Sequence, residues 1–204
     1  MFSILVVRTG SGGWACIGFK PCGLQELQMI RSISLVVAAA VFLVSPSIAG
    51  PDDFHAGKLV SEFGKVASIE AAPELAEGTV FRVAFDIGEG AEGGKINRRI
   101  ESAARFLNMH GEAGVPAENI NVAVVVHGSA AMDLVNDARF GGTNVNAGLV
   151  QALVEAGVTI ELCGQTAAYR DISEADLLPG VTMALSAMTA HALLQQDGYT
   201  LNPF

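Results

Sequence analysis

Short, almost wholly apolar runs separated by helical patterns are the feature that most constrains the fold of this chain. Residues 120–126 read INVAVVV, and residues 158–162 read VTIEL. Runs this apolar suit strands that are buried on both faces, as the strands of a parallel sheet are. Between them, Val145, Leu149 and Leu153 recur at helical spacing. The alternation predicts a parallel sheet with helices on both of its faces.

The same alternation covers most of the chain and predicts one α/β domain at residues 79–204. A strand is predicted at 80–87 (VFRVAFDI), followed by a glycine-rich loop at 88–94. Helices are predicted at 95–110, 131–138, 145–156, 166–169 and 186–196, and a further strand at 181–185. Residues 50–78 are polar and rich in alanine and glutamate, and we interpret them as an arm with room for a short helix or strand.

The front of the chain has the layout of a secretory signal peptide. Residues 29–31 give a basic start, residues 33–44 form an apolar run that Ser34 alone breaks, and residues 47–49 (SIA) are a small-x-small cleavage pattern. The run is too short to span a bilayer comfortably, which favours a cleaved signal over a retained membrane anchor. We expect cleavage after residue 49, between Ala49 and Gly50, and a periplasmic or secreted mature protein without further membrane association.

Export leaves a more acidic chain with a single cysteine. Residues 1–28 fit no signal layout, and we interpret them as the product of a start placed too early, ahead of Met29. Loss of residues 1–49 removes three basic residues and one acidic residue, so the net charge moves from −9 to −11. A chain this acidic lacks the basic surface that binding of nucleic-acid phosphates requires. Cys16 and Cys22 are also lost, and Cys163 then has no partner for an internal disulfide.

Three residues with useful chemistry are expected to meet at one edge of the sheet. Asp86 lies near the end of the first strand, His127 follows the second, and Cys163 ends the third. Ligands of open parallel sheets bind outside the carboxyl ends of the strands. The loop after the first strand also matches the dinucleotide pattern GxGxxG, but Glu89 and Glu92 would repel a pyrophosphate. We therefore predict no nucleotide and no other organic cofactor.

Cys163 is the strongest candidate for chemistry. A helix begins within a few residues, and the N–H groups and dipole of a helix N-terminus favour thiolate over thiol. A thiolate attacks disulfides, carries a sulfane sulfur as a persulfide, or binds a soft metal. His127 is a candidate acid or base, or a partner that stabilises the thiolate. The alternative is purely structural, with a small buried cysteine and a hydrogen-bonded histidine at two strand ends.

Other kinds of active site find little support in the sequence. The chain has no CxxC or HxxxH pattern, and a zinc site needs three or four convergent ligands, so no metal site is predicted. His55, His110 and His191 show no ligand spacing with His127 or Cys163. No GxSxG motif is present, so a serine triad is not expected either.

Four motifs in a fixed order resemble the DsrE/DsrF-like family, and in particular its exported members. They are VVHG at 125–128, GVTIELCGQ at 157–165, DLLPGV at 176–181 and ALSAMT at 184–189. The closing QQDGY and PF, and Asn97-Arg98 in the first helix, fit the same pattern. The resemblance covers residues 80–204, which is most of the mature chain.

The resemblance implies a flavodoxin-like three-layer α/β sandwich with a mostly parallel sheet of four to five strands, assembled as a homotrimer or homohexamer. It also implies that Cys163 accepts persulfide sulfur and passes it to a partner protein or a small sulfur compound. We expect His127 to tune the thiol. The alternatives are a non-catalytic oligomeric module that binds a small ligand, and a purely structural assembly protein. The residues expected to shape the pocket are Asp86, Gly128, Gly164 and Gln165.

Overall fold

Five parallel strands form the centre of the fold. The structure is a computed structural model, and it describes residues 50–202. The strands are β1 (Phe81–Ile87), β2 (Ile120–Val126), β3 (Thr159–Cys163), β4 (Val181–Ala184) and β5 (Thr200–Asn202). They pair in the order β4-β3-β2-β1-β5, and every pairing is parallel. The predicted flavodoxin-like α/β sandwich is therefore confirmed, with a sheet of five strands.

Helices cover both faces of this sheet. They are α1 (Arg98–Glu112), α2 (Asp137–Phe140), α3 (Ala147–Glu155), α4 (Gly164–Tyr169) and α5 (Ala187–Gln196). The main core lies between the sheet and α1 with α3, and its fully buried side chains include Phe85, Ile87, Ile100, Leu149 and Leu162. The residues that alternate with them on the strands, such as Ala84 and Val125, are buried on the other face, where α5 packs.

Asparagine side chains set two helix starts that the apolar spacing misplaces. Helix α1 begins at Arg98 and not at Lys95, because Asn97 Oδ1 accepts the N–H groups of the first turn. The predicted helix at 131–138 is wrong. A 3₁₀ helix spans Gly128–Leu134, and the short α2 then begins after Asn136, whose side chain accepts the Arg139 N–H.

The arm at residues 50–78 is packed onto α1. It contains a 3₁₀ helix at Pro51–Asp53 and an antiparallel bridge between His55 and Val66. Asn108 of α1 is fully buried beneath it, and its Oδ1 accepts the N–H groups of Leu59 and Val60. Its amide nitrogen donates to three arm carbonyls, those of Val60, Phe63 and Gly64. One side chain thus fixes five backbone groups of the arm.

The predicted signal at residues 29–49 and the predicted leader at 1–28 lie outside the described residues, as do Pro203 and Phe204. Within residues 50–202, none of the helices combines the length and the apolar character that a membrane crossing requires.

Candidate functional site

The carboxyl ends of β1, β2 and β3 bring Asp86, His127 and Cys163 to one edge of the sheet. Asp86 pairs with Val125, and Val126 pairs with Leu162, so the three strands end level with one another. Alternate residues of a strand point to the same face. The register therefore places all three side chains on the face that α5 covers, as the strand pattern led us to expect.

Cys163 is 6% exposed and lies where two helices begin. It is the N-cap residue of α4, and Ala187 is the first residue of α5. Burial by itself raises the pKa of the thiol, but the N–H and hydroxyl of Thr166, with the N–H groups of Ala187 and Gln165, lower the pKa below the ordinary value of a cysteine. The sulfur makes no N-cap hydrogen bond of standard geometry to α4, so these dipoles stabilise the thiolate as a group.

Thr166 connects Cys163 to the loop after β2. Its Oγ1 accepts the Gly128 N–H at 3.3 Å, which leaves the hydroxyl hydrogen available to the sulfur. The Gly128 carbonyl in turn accepts Arg170 Nε at 2.9 Å. Gly128 has a φ of +57° and lies so close to Gly88 that a Cβ would be 2.5 Å from the Gly88 carbonyl oxygen. Glycine is therefore required at this predicted pocket position, because any side chain would push the loops after β1 and β2 apart.

Gly164 and Gln165 lie against the end of β4. A Cβ on Gly164 would be 2.6 Å from the Ala184 carbonyl oxygen, so only glycine permits the close approach of α4 to this strand. Gln165 is exposed, and its Nε2 donates to the Leu185 carbonyl at 3.3 Å. The two residues predicted to shape the pocket therefore join the loop that follows β3 to the loop that follows β4.

His127 lies against the end of β1. Its Nε2 is 3.2 Å from Asp86 Oδ1, and its ring lies over Gly88, where a Cβ would be 2.7 Å from Cε1. The groups that lower the pKa of Cys163 come from α4 and α5, and His127 is not among them. The structure therefore pairs His127 with Asp86, and a role of His127 in tuning the thiol stays a prediction.

His191 also belongs to this group, although its place in the sequence did not predict it. It lies on α5, and its Nε2 is 2.9 Å from Asp86 Oδ1, so one carboxylate oxygen is shared by two imidazoles. The sequence spacing gave no reason to pair it with His127. Its helical spacing does indicate that it faces the sheet, because it lies one turn after Ala187 and next to the buried Ala190.

The glycine-rich loop after β1 is held by a buried carboxylate. Asp133 is 4% exposed, and its oxygens accept the Ala91 N–H at 2.9 Å and the side-chain amides of Asn97 and Asn146. Burial raises the pKa of Asp133, although the bonds from Asn97 and Ala91 act in the opposite direction. The acidic Glu89 of this loop pairs with Arg99 at 2.6 Å. Asn97 also accepts N–H groups at the start of α1, so the polar side chains around this loop are already bonded to one another and to the backbone.

Metal binding finds no support in the geometry of the described residues. Within residues 50–202, no group of three or more histidine, cysteine, aspartate or glutamate side chains has an arrangement that could hold a metal ion. In the Asp86 cluster, His191 hydrogen-bonds the carboxylate, and His127 Nε2 lies 3.2 Å from the same oxygen.

The fold and the site define a class of small parallel α/β proteins with a cysteine at a helix N-terminus on the carboxyl edge of the sheet. The chain belongs to the DsrE/DsrF-like family, whose model matches residues 81–203. No curated protein matches it significantly.

Two solved structures are similar to this chain. The protein of unknown function MTH1491 from Methanobacterium thermoautotrophicum is 22% identical, with a TM-score of 0.49, and the match covers 61% of this chain and 99% of that one. The ychN protein from E. coli is 13% identical, with a TM-score of 0.48, and the match covers 61% and 100% of the two chains.

Proposed function

We propose that this protein is a sulfur carrier or transfer protein that works through Cys163 as a thiolate. Family membership supports a fold related to sulfur relay. The observation that carries the proposal is the set of N–H and hydroxyl groups around the sulfur, which lowers the pKa of Cys163 although the side chain is buried. A thiolate is the form of cysteine that attacks sulfur.

The proposed step is nucleophilic sulfur exchange without a cofactor. The Cys163 thiolate attacks the terminal sulfur of a polysulfide, a new S–S bond forms on the protein, and a polysulfide dianion one sulfur shorter leaves with the electron pair of the broken S–S bond. With thiosulfate the leaving group is sulfite. An acceptor thiolate then attacks the outer sulfur and releases the Cys163 thiolate again. No net oxidant or reductant enters either step.

The environment of the thiol limits what reaches it. Because Cys163 is only 6% exposed, a small sulfur anion or a thiol at the end of an extended chain reaches it more readily than a thiol on the surface of a folded protein does. The N–H groups of Gln165 and Ala187 and the hydroxyl of Thr166, which stabilise the thiolate, also stabilise the charged outer sulfur of a persulfide. The pocket thus suits an anionic donor and an anionic product.

Mass spectrometry after exposure to polysulfide or thiosulfate tests the proposal. Wild-type protein gains an added mass of about 32 Da that tandem fragmentation localises to Cys163. Cys163→Ser is the matched variant, because it keeps the shape of the side chain and removes the sulfur. The absence of an adduct on wild-type protein, or an equal adduct on Cys163→Ser, rules out the sulfur-carrier role.

A non-catalytic oligomeric module that binds a small ligand is the second candidate, because a groove is lined in part by Ala184, the β4 residue that pairs with Cys163. It has a volume of ≈ 390 Å³ between α5 and the β3–β4 end of the sheet, and Glu161, Leu185 and Leu193 are among its lining residues. This candidate predicts a ligand that binds equally well to wild type and to Cys163→Ala. Calorimetric titration with the ligands of a small-molecule screen distinguishes the two functions.

The homotrimer or homohexamer implied by the family resemblance is also a proposal. Large apolar side chains support it, since Leu185 is 71% exposed and Met188 is 80% exposed next to the site. Native mass spectrometry of wild type and of Met188→Asp tests it. A monomer for wild type, or an unchanged oligomer for the variant, counts against an interface at this surface.

Export to the periplasm is proposed from the signal pattern at residues 29–49. Every described helix and strand follows the cleavage site, so removal of the signal is compatible with the fold. Cell fractionation and N-terminal sequencing test the proposal. A mature chain that begins at Gly50 in the periplasmic fraction supports it, and a cytoplasmic chain that retains residues 29–49 refutes it.

A further inference from the structure

Helix α5 begins near Cys163 and contacts Asp86 of β1 one turn later. The N–H of its first residue, Ala187, is one of the groups that lower the pKa of Cys163. His191 follows one turn later on the same side of the helix, about 6 Å further along the axis. There its Nε2 is 2.9 Å from Asp86 Oδ1 on β1. One rigid helix therefore joins the thiol to a carboxylate two strands away.

Two side-chain hydrogen bonds tie α5 to β1: His191 bonds Asp86 in the first half of the helix, and Arg82 donates to the Asp197 carbonyl at its C-terminal end. The other side-chain bonds of the helix start are local, as between Ser186 and Thr189. The buried Ala190 packs closely against the sheet but makes no side-chain hydrogen bond that would fix the orientation of the helix. Of the two bonds, the one between His191 and Asp86 is nearer to the start of α5, so it holds the first turn of the helix.

The His191 ring has a single way to make this contact. Its Nδ1 is buried and has no hydrogen-bond partner among residues 50–202. A buried N–H without an acceptor is costly, so we assign the hydrogen to Nε2, from which it is donated to Asp86. Asp86 also lies 3.2 Å from His127 Nε2, and this keeps the carboxylate oriented toward both rings.

We infer that His191 is a positioning residue for Cys163: its hydrogen bond to Asp86 fixes α5 on the sheet and so keeps the first turn of that helix at the sulfur. The inference rests on the proposed function in that Cys163 is taken as the working thiol. It assigns to Asp86 an indirect role, as the anchor of the helix. Loss of the bond lets the helix start move away and weakens one of the dipoles that stabilise the thiolate.

The test is the pH profile of Cys163 alkylation in the full chain. Iodoacetamide modification is followed by mass spectrometry of the peptide that contains Cys163, and unfolding free energies are measured in parallel. His191→Leu removes the bond and keeps the bulk, and it slows alkylation at neutral pH by about three- to tenfold because the thiol pKa rises. His191→Gln keeps an N–H donor and stays within about twofold of wild type. Glu161 is the charged residue on the same face of β3 as Cys163, and all variants retain it, so its effect on the thiol pKa is the same in each.

His110→Leu is the matched control, because it removes another partly buried histidine on α1, far from α5 in the fold. Its ring bonds the Phe106 carbonyl, and its loss lowers stability without changing the alkylation profile. Asp86→Ala repeats the effect of His191→Leu, and the double variant is no slower than either single variant. An unchanged profile in His191→Leu, an equal change in His110→Leu, or additive effects in the double variant overturns the inference.

Alkylation reports the thiolate and does not depend on sulfur uptake. If the persulfide experiment fails while His191→Leu still shifts the profile, the proposed function is wrong and the positioning role stands. If the persulfide forms and His191→Leu has no effect on alkylation, the positioning role is wrong and the proposed function stands.

Discussion

Replacing Thr166 by valine removes one hydroxyl from the surroundings of the Cys163 sulfur and leaves the shape of the side chain unchanged. In the structure this hydroxyl accepts the Gly128 N–H at 3.3 Å, and it is one of the groups that lower the pKa of Cys163. The Thr166 N–H is retained in the variant, as are those of Gln165 and Ala187. The substitution thus deletes one of four groups that lower the pKa of the thiol.

The size of the effect follows from the strength of one hydrogen bond to a charged group, about 1.5–3 kcal/mol. Sulfur is a weak acceptor, and burial opposes the thiolate in both proteins, so we expect the lower end of that range. The pKa of Cys163 therefore rises in Thr166→Val, which leaves about tenfold less thiolate at a pH below both pKa values. The Gly128 N–H also loses its acceptor, which costs about 1 kcal/mol of stability.

The ultraviolet absorbance of the thiolate, titrated against pH and corrected by subtracting that of Cys163→Ser, measures the change in the pKa of Cys163. Thr166→Ser is the control, because it restores the hydroxyl and returns the pKa of Cys163 close to that of wild type. A Thr166→Val midpoint equal to the wild-type midpoint refutes the reasoning. An equal rise in Thr166→Ser does so as well, because it assigns the effect to packing.

Three further predictions concern the frame of the site. Asn108→Leu leaves five backbone groups of the arm unpaired and lowers the free energy of unfolding by about 3 kcal/mol or more in urea titration. Gly164→Ala forces its Cβ against the Ala184 carbonyl, so it lowers stability by about 1–3 kcal/mol and slows Cys163 alkylation. The Asp53 carbonyl and then Glu112 raise the pKa of His55. Protonated His55 therefore stabilises the fold fully below pH 6.5, and this stabilisation is lost as the pH rises through the pKa of His55 in the folded protein. NMR titration of Glu112→Gln shows a lower pKa for His55.

The buried strands could be predicted because burial leaves a local trace in the sequence. The run INVAVVV became β2, whose residues from Val122 to Val126 are buried, and Ser186 marked the start of α5 as its N-cap. The helix expected at 131–138 failed because polar side chains decide that segment. Asp133 is committed to the glycine-rich loop, and Asn136 starts a new helix.

The partners of the site residues could be predicted only where they are close in the sequence. Thr166 lies three residues after Cys163, in the first turn of α4, where a hydroxyl near the N-cap is foreseeable. His191 lies 105 residues from Asp86, and the two meet because α5 crosses from β4 toward β5. No local pattern specifies that crossing, so the sequence analysis placed Asp86 and His127 at one edge without the histidine that completes their group.

The uptake and release of one sulfur atom at Cys163 tests the central claim most directly. Protein is loaded with polysulfide, freed of excess reagent and treated with cyanide, which attacks the outer sulfur of a persulfide, forms thiocyanate and returns the thiolate. The sulfur-carrier account predicts about one thiocyanate per chain from wild type and none from Cys163→Ser. Equal yields from the two proteins, or no thiocyanate from wild type, contradict it.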